Sequence, residues 1–445
     1  MSCFYRLRYG VSIRKVGEKL FLVNPHHDYT KDTMPEITEK GAQIIERVRN
    51  KDICDETIRS EFGNDVLVFL DYLFNHGYVF KWNDSHQKTF ISDLVKTRWS
   101  ETRTFYGCTF EITPKCNFNC IHCYLDGAHS AQNILSGNAI NGIIDKLYDN
   151  GLFLIFFSGG DPFVHPDFKK IYAHTRKLGI LCELFTNGYA IDDDWIELFR
   201  CYPPVEIDIS LYGSNEEIYY KATRKKGAFN RVIQNIKRLK AEGFNVSLKS
   251  PIFSLLKDDL ENMINLAKEL DVPFRFSFEI NPTIYNESKQ HLQVSASEAA
   301  DLFYRYDYQA FTTMKATQME FEKTGRIVTR KKYLCSTGRC SGFIDYQGNF
   351  CPCIEMRDKG ISLLENDFDC IWKEVKENSF NTLENSDEYK CLSCNMISFC
   401  KSCPAIRERK YGSPTIVKEE DCAFTETLYN KMKNEFDERE GGAND

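Results

Sequence analysis

Three cysteines lie close together in one short segment of the chain. Cys116, Cys120 and Cys123 have three and then two residues between them, and they directly follow a β-rich run, CTFEIT. Three thiolates hold three irons of a 4Fe-4S cluster and leave the fourth iron open, whereas a cluster that only carries electrons normally has four protein ligands. The segment therefore predicts a cluster whose open iron binds a small molecule. The alternative is a zinc site or a set of buried thiols.

Nine further cysteines are concentrated towards the end of the chain. They are Cys335, Cys340, Cys351, Cys353, Cys391, Cys394, Cys400, Cys403 and Cys422. The first ten residues contain no apolar signal segment, so we expect a cytoplasmic protein, and clustered cysteines in that reducing compartment bind metal more often than they form disulfides. A zinc ribbon over residues 391–403 is the alternative to iron. The remaining cysteines are isolated and are expected to be ordinary buried thiols: Cys3, Cys54, Cys108, Cys182, Cys201 and Cys370.

Composition excludes two classes of partner. The chain has 445 residues, of which 42% are hydrophobic and 27% charged, and its formal charge is −7. No apolar run is long enough to cross a membrane, and the charge gives no basic surface of the kind that binds nucleic acid. The length predicts two or three domains.

A repeated strand and helix pattern places the first cysteine segment. Between residues 108 and 280, six β-rich runs alternate with amphipathic stretches; the runs are CTFEIT, LFLIFF, ILCELFT, VEIDISL, NVSLKS and FRFSFEI. Alternation of this kind is typical of an α/β fold with a parallel sheet, here a partial (β/α)6 barrel. Functional residues of such folds lie where the strands end, and the cysteines directly follow the first strand.

The CxxxCxxC pattern of Cys116, Cys120 and Cys123, in the loop after the first strand, resembles the signature of the radical S-adenosylmethionine (SAM) superfamily. The resemblance covers residues 105–280 and implies an open 4Fe-4S cluster that binds SAM and generates a 5′-deoxyadenosyl radical. Ser158-Gly159-Gly160-Asp161 resembles the family's GGE motif, with Asp161 in place of glutamate. His122 stands where the family often has an aromatic residue and is expected to pack against the cluster. The resemblance implies SAM contacts from Tyr124, Ser158, Gly159, Gly160, Asp161, Thr186, Asn187, Ser210 and Arg224. The alternative is that Asn187 is an ordinary turn residue and Arg224 an ordinary surface residue, with no contact to SAM.

The second cysteine group resembles the SPASM extension of radical SAM peptide maturases, which carries two auxiliary 4Fe-4S clusters. The resemblance assigns Cys335, Cys340, Cys353 and Cys403 to one cluster and Cys391, Cys394, Cys400 and Cys422 to the other. Two features depart from that pattern. The last two cysteines of the four-cysteine run are separated by two residues rather than three, and Cys351 is surplus. Either Cys351 replaces Cys353 as the ligand, or it is a free or substrate-facing thiol.

The start of the chain contains short strands over residues 4–23, with a turn at Val16–Lys19, followed by three helices near 38–50, 55–61 and 64–78. This order resembles the winged-helix module with which maturases bind a leader peptide at a sheet edge; a DNA-binding winged helix is the alternative. The expected division is a module over 1–82, a linker over 83–104, the barrel with connecting helices over 105–332, the SPASM-like domain over 333–430 and a disordered tail over 431–445.

These resemblances together imply an oxidoreductase that matures a ribosomally made precursor peptide, with flavodoxin or ferredoxin as electron donor. A thioether from a cysteine sulfur to carbon, as in sactipeptide and ranthipeptide maturases, is the first hypothesis. A carbon–carbon cyclase and a sulfatase-type or small-molecule radical SAM enzyme are alternatives. An iron–sulfur electron carrier or scaffold is the non-enzymatic alternative.

Overall fold

The computed structural model describes most of the barrel and parts of both flanking regions. Described are residues 4–7, 11–16, 18–23, 35–49, 53–76, 78–80, 105–126, 128–131, 134–285, 288–324, 338–380, 391, 394–396, 400 and 402–441. The expected linker over 83–104 and the expected ligand Cys335 lie outside these residues.

The N-terminal module contains the predicted strands over 4–23 and the three predicted helices, together with three short strands that were not predicted. Its elements are β1 Phe4–Leu7, β2 Ser12–Val16, β3 Lys19–Val23, β4 Glu36–Ile37, α1 Glu39–Arg49, β5 Ile53–Cys54, α2 Asp55–Phe62, α3 Val66–Asn75 and β6 Val79–Phe80. The predicted turn is confirmed, because Val16 pairs with Lys19 in the β2–β3 hairpin. At the start of α1 the Gly41 amide donates to the Thr38 hydroxyl over 3.2 Å, an N-terminal cap. Leu22, Ile45, Leu70 and their neighbours form a core for this module alone.

The six predicted barrel strands are all present and pair in parallel. They are β7 Gly107–Glu111, β8 Leu154–Ser158, β9 Leu181–Thr186, β10 Glu206–Ser210, β11 Val246–Pro251 and β12 Phe274–Ser277. They lie side by side in chain order, β7 to β12. The helices between them are α4 Gly137–Asp149, α5 Phe168–Lys177, α6 Asp193–Cys201, α7 Glu216–Thr223, α8 Ala228–Ala241 and α9 Leu260–Glu269. The sequence pattern missed α7, which is short and begins at the capping residue Asn215.

The sheet continues into the second cysteine region, which corrects an expectation. Residues 333–430 were predicted to form a small fold held together by metal. Instead β13 Ser341–Ile344 pairs in parallel with β7, and β14 Asn349–Cys351 and β15 Ile361–Ser362 extend the same sheet to nine strands. Phe350 is fully buried, and the tip of its ring comes so close to Gly342 that a Cβ there would lie 2.1 Å from the ring. Apolar packing on the barrel therefore orders this part of the region.

The predicted disordered tail over 431–445 is also wrong for the part that the structure describes. The connecting helices are α10 Ala296–Tyr306 and α11 Tyr308–Thr324, followed by α12 Phe368–Phe380, α13 Pro404–Tyr411 and α14 Glu419–Gly441. Met432 in α14 is 1% exposed, and Glu435 accepts hydrogen bonds from the hydroxyls of Tyr304 and Tyr308. The sequence pattern did not predict these contacts, because most positions of the helix are polar and only a few of them face the protein. None of the helices in the described residues has the length and apolar character needed to cross a membrane.

Replacing Met432 tests whether the final helix contributes to stability. We expect Met432→Ala to lower the free energy of unfolding by about 2–5 kcal/mol, because the side chain is enclosed and its loss leaves a cavity. Leu364→Ala is the matched control, since Leu364 is 52% exposed and should change stability by less than about 0.5 kcal/mol. Denaturant unfolding of both variants measures the difference. Equal, small effects would mean that α14 does not pack as described.

Candidate active site

The three cysteines of the first segment line one cavity at the strand ends of the barrel. The cavity has a volume of about 550 Å³ and is bordered by Cys116, Cys120 and Cys123 together with Gly159 and Gly160. Burial raises the pKa of Cys116 to about 12 and that of Cys123 to about 11, and it raises the pKa of Cys120 well above its ordinary value. The neighbouring thiols raise the pKa of Cys120 further. Such thiols stay protonated on their own, and binding to a metal removes the proton.

Backbone hydrogen bonds attach the cysteine loop to the glycine pair. The Ile112 amide donates to Ser158 over 3.0 Å, and the Gly160 amide donates to Thr113 over 2.8 Å. Gly159 has a φ of +143°, and a Cβ on it would lie 2.2 Å from the Thr113 carbonyl oxygen. A Cβ on Gly160 would lie 2.3 Å from the carbonyl oxygen of Lys115. Only glycine allows this approach, so these two residues position the cysteine loop as well as bordering the cavity.

Asp161 faces the interior rather than the cavity. Its side chain is fully buried and accepts hydrogen bonds from the Thr186 hydroxyl and the Asn187 amide, each over 2.8 Å, and from the Phe163 amide over 3.0 Å. Burial raises its pKa to about 6, although these donors oppose the rise. Asp161 thereby ties the end of β8 to the end of β9.

Most of the predicted SAM-contacting residues do border the cavity. Those that line it are Tyr124, Ser158, Gly159, Gly160, Thr186, Asn187 and Ser210. Asn187 also donates to the Asn117 side chain over 2.6 Å and approaches the Cys116 sulfur at 3.6 Å. Arg224 is a correction: it is exposed at the end of α7, in a left-handed conformation with a φ of 56°, and it does not line the cavity.

Three charged residues that sequence reasoning missed, Asp208, Lys249 and Arg275, also line the cavity. Lys249 Nζ and Arg275 Nη2 lie 3.2 Å and 3.0 Å from the same oxygen of Asp208. Lys249 also stands 3.4 Å above the ring centre of Phe185, and burial lowers its pKa. The sequence did contain a signal for these residues. Each charged residue lies in a barrel strand two positions before another residue that borders the cavity, namely Ser210, Pro251 or Ser277. Side chains two apart share one face of a strand.

His122 borders the cavity and packs in its wall. Its ring lies 4.8 Å from that of Tyr212 and 4.7 Å from that of Phe253. Burial lowers its pKa to about 3, so the imidazole is neutral. Within the described part of the chain its buried Nδ1 makes no hydrogen bond, which leaves one polar atom for a bound group. Three thiols, a glycine cradle and this nitrogen fit a cluster with a small polar ligand.

Comparison with known proteins identifies the domain around this cavity. Residues 110–287 match the model of the radical SAM superfamily. The chain contains a radical SAM domain. The superfamily uses a 4Fe-4S cluster and SAM, and the cavity residues above fit both.

Relatives support an enzymatic role for the radical SAM domain. An AdoMet-dependent heme synthase of Methanosarcina barkeri is 24% identical over 70% of this chain and 94% of that protein. AlbA, the antilisterial bacteriocin subtilosin biosynthesis protein of Bacillus subtilis, is 29% identical over 36% of each protein. The crystal structure of SuiB from Streptococcus suis bound to the precursor peptide SuiA shares the fold, with a TM-score of 0.59, 17% identity and coverage of 94% of this chain and 99% of that one. The chain is an enzyme of the oxidoreductase type.

Outside the radical SAM match, six cysteines of the second group lie in two neighbourhoods. The Cys422 thiol lies close enough to Cys400, Cys391 and Cys394 for them to raise its pKa, which with burial reaches about 11. Cys353 and Cys403 instead pack against the small core of Met356 and Ala405. Among the described residues, no three His, Cys, Asp or Glu side chains are grouped as a single metal ion requires.

Cys351 and Cys340 are both buried near the barrel. The Cys351 thiol is 3.4 Å from the Cys353 carbonyl oxygen and 3.6 Å from that of Phe343. Cys340 packs in an apolar cluster with Tyr106 and Phe153. Of the isolated cysteines, Cys108 and Cys182 are buried as predicted, whereas Cys201 and Cys370 are exposed; the side chains of Cys3 and Cys54 lie outside the described residues.

A single methyl group at Gly160 tests the attachment of the cysteine loop. We expect Gly160→Ala to push the backbone of Pro114 and Lys115 away, lowering iron retention after anaerobic reconstitution and weakening SAM binding at least ten-fold, a loss of about 1.4 kcal/mol. Gly142→Ala is the control, because nothing lies within 4 Å of that Cβ on α4 and alanine favours a helix. Iron analysis and equilibrium dialysis with labelled SAM supply the measurements. A Gly160→Ala protein with unchanged iron and SAM affinity would contradict the packing.

Proposed function

We propose that this enzyme oxidatively modifies a ribosomally made precursor peptide and installs a thioether between a cysteine sulfur and a carbon. The observation that carries the proposal is that one sheet connects the two cysteine regions: Cys116, Cys120 and Cys123 border the cavity after β7, and the segment with Cys340, Cys351 and Cys353 forms or flanks the adjoining strands β13 and β14. Names of similar proteins support a peptide substrate: AlbA is a subtilosin biosynthesis protein, and SuiB was solved with a precursor peptide. The carbon–carbon cyclase, sulfatase-type and small-molecule alternatives remain rivals, the last favoured by the similar heme synthase.

In this proposal Cys116, Cys120 and Cys123 would hold the cluster. The residues that would bind SAM are the glycine pair with Tyr124, Ser158, Thr186, Asn187 and Ser210, all of which border the cavity. SAM on such a cluster supplies hydrogen-atom abstraction. Lys249 and Arg275 take the role first given to Arg224, since cations on the cavity wall can pair with a carboxylate. Asp161 acts indirectly, by holding the ends of β8 and β9 in place. The residues of the wall also keep water from the reacting carbon.

The second cysteine group supplies the outlet for electrons. Joining a cysteine S–H to a peptide C–H through a new C–S bond removes two hydrogens, one as a hydrogen atom and the other as a proton and an electron. We assign Cys391, Cys394, Cys400 and Cys422 to one auxiliary cluster and Cys335, Cys340, Cys353 and Cys403 to the other. The neighbourhood of Cys422 supports the first set. Cys353 and Cys403 both pack against Met356 and Ala405, whereas the Cys351 thiol lies close to two carbonyl oxygens, which supports Cys353 over Cys351.

Two cysteine substitutions separate the roles of the two regions. After anaerobic reconstitution, dithionite, SAM and a synthetic cysteine-containing precursor peptide should give 5′-deoxyadenosine and a peptide two hydrogens lighter. We expect Cys120→Ala to abolish both products and Cys394→Ala to retain SAM cleavage but block the cross-link. Mass spectrometry follows both products.

Cys201→Ala serves as the control for these variants, because Cys201 is exposed and belongs to neither set. It should behave as the unmodified enzyme does. Brisk SAM cleavage with an unchanged peptide mass would direct the search to another substrate, and zinc in place of iron would overturn the proposal.

The N-terminal module provides a place for the leader peptide. Strand β2 forms one edge of the β2–β3–β4 sheet in the part of the chain that the structure describes. The Leu22 amide donates to the Pro35 carbonyl oxygen, on the side of β3 away from β2. Ile13 is the residue of β2 directly opposite Leu22. Opposite residues of an antiparallel pair either bond to each other or both point outwards, so the Ile13 N–H also points away from the β2–β3 ladder. Lys15 lies two residues further along and does the same. An extended peptide can accept these bonds, which is our proposal for the leader.

Proline at Lys15 tests this edge without breaking the hairpin. We expect Lys15→Pro to weaken binding of the fluorescently labelled precursor peptide roughly five-fold to ten-fold, because one main-chain bond contributes about 1 kcal/mol. Lys15→Ala keeps the N–H and should bind within about two-fold of the unmodified protein, given the small free energies of exposed contacts. Fluorescence polarisation gives both affinities. Equal affinities for the two variants would rule out leader binding at β2.

A further inference from the structure

The last residue of the first barrel strand, Glu111, carries a fully buried carboxylate. Burying an ionised carboxylate without partners costs far more than a fold gains from it. Glu111 is paired: Arg357 Nη2 lies 2.6 Å from Oε2 and Nη1 lies 3.2 Å from Oε1, and the Tyr124 hydroxyl donates to Oε2 over 3.0 Å. This two-pronged geometry is the strong form of an arginine–carboxylate pair.

Glu111 and its two partners, Tyr124 and Arg357, come from the two cysteine regions. Glu111 begins the loop that leads to Cys116, and Tyr124 directly follows Cys123, so the carboxylate holds both ends of the cysteine loop. Arg357 lies in the 3-10 helix Ile354–Lys359, which directly follows Cys353. One buried ion pair thus connects segments 246 residues apart in the chain.

Arg357 is also enclosed by aromatic rings. Its guanidinium carbon lies 4.8 Å from the ring centre of Phe343 and 5.6 Å from that of Tyr124, and its side chain is 15% exposed. An arginine stays charged in a protein. A fixed positive charge with little water around it acts more strongly on nearby charges than one on the surface.

We propose that Arg357 is a positioning residue for the cluster of the radical SAM domain, holding the cysteine loop through Glu111 and raising the reduction potential of that cluster by its charge. The inference rests on the proposed iron–sulfur function. Reduction adds an electron to the cluster, and a nearby cation stabilises the reduced form. Cluster potentials depend on such surrounding charge, hydrogen bonding and solvent exposure.

A second ion pair on the same 3-10 helix offers a matched control. Glu355 is 8% exposed and lies 3.1 Å from Arg409 Nη1, and Arg409 also donates to the Thr283 carbonyl oxygen over 2.6 Å. This pair fastens the helix to α13 rather than to Glu111. Arg409→Gln therefore removes a half-buried arginine from a carboxylate without touching the bond to the cysteine loop.

The test is a redox titration of the full chain, reconstituted anaerobically with iron and sulfide and followed by electron paramagnetic resonance. The signal that changes on adding SAM identifies the barrel cluster. Arg357→Gln should shift its midpoint potential to more negative values, and Arg357→Lys, which keeps the charge, should restore most of the shift. Glu111→Gln should shift the potential in the opposite direction, because it leaves the arginine charge unbalanced. Arg409→Gln should leave the potential unchanged.

Opposite shifts for the two partners are not expected from structural damage alone. If Arg357→Gln fails to fold, the isosteric Glu111→Gln variant carries the test by itself. Unmoved potentials in variants that still hold the cluster would overturn the inference while leaving the proposed function intact. Absence of any iron–sulfur signal in the unmodified protein would overturn both.

Discussion

The hydrogen bonds that continue the β7–β8 ladder into the following loops determine the whole site. Parallel pairing ends at Glu111 and Ser158, and the next donors, from Ile112, Gly160 and Asp161, attach the cysteine loop to the glycine pair. Backbone hydrogen bonds, rather than bound metal, therefore fix the position of the start of the cysteine loop. The two glycines are required because any side chain on them would meet the carbonyl oxygens of the loop.

Buried polar groups then extend this order around the rim. Asp161 links the end of β8 to Thr186 and Asn187 at the end of β9, and Asn187 reaches back to Asn117 in the cysteine loop. Asp161, Thr186 and Asn187 are buried and hydrogen-bonded, which is the condition under which a buried polar side chain is tolerated. The rim is thus a connected network, and a ligand that enters the cavity meets donors and acceptors whose positions are already set.

Sequence patterns predicted the features that depend on local spacing. The six barrel strands, the cap at Thr38 and the turn at Val16–Lys19 follow from alternation, capping and turn preferences, which act over a few residues. The pairing of β13 with β7 joins residues far apart in the chain, so no local pattern indicates it. Arg224 shows a different limit: its place in the sequence suited a ligand contact, but the left-handed end of α7 leaves it exposed. Asp208, Lys249 and Arg275 were overlooked because charged residues in strands suggest exposure, whereas in a barrel they face the cavity.

The extension of the barrel sheet has a consequence for the two cysteine regions. If the second region were held only by its metals, its position relative to the cavity would vary with metal content. Because β13 shares hydrogen bonds with β7, Phe350 packs in the main core and Arg357 pairs with Glu111, this part of the second region belongs to the same packed body as the cysteine loop. Packed cores resist continuous deformation. The separation between the cysteine loop and the segment around Cys353 is therefore a property of the fold, which is the arrangement that the electron transfer proposed above would require.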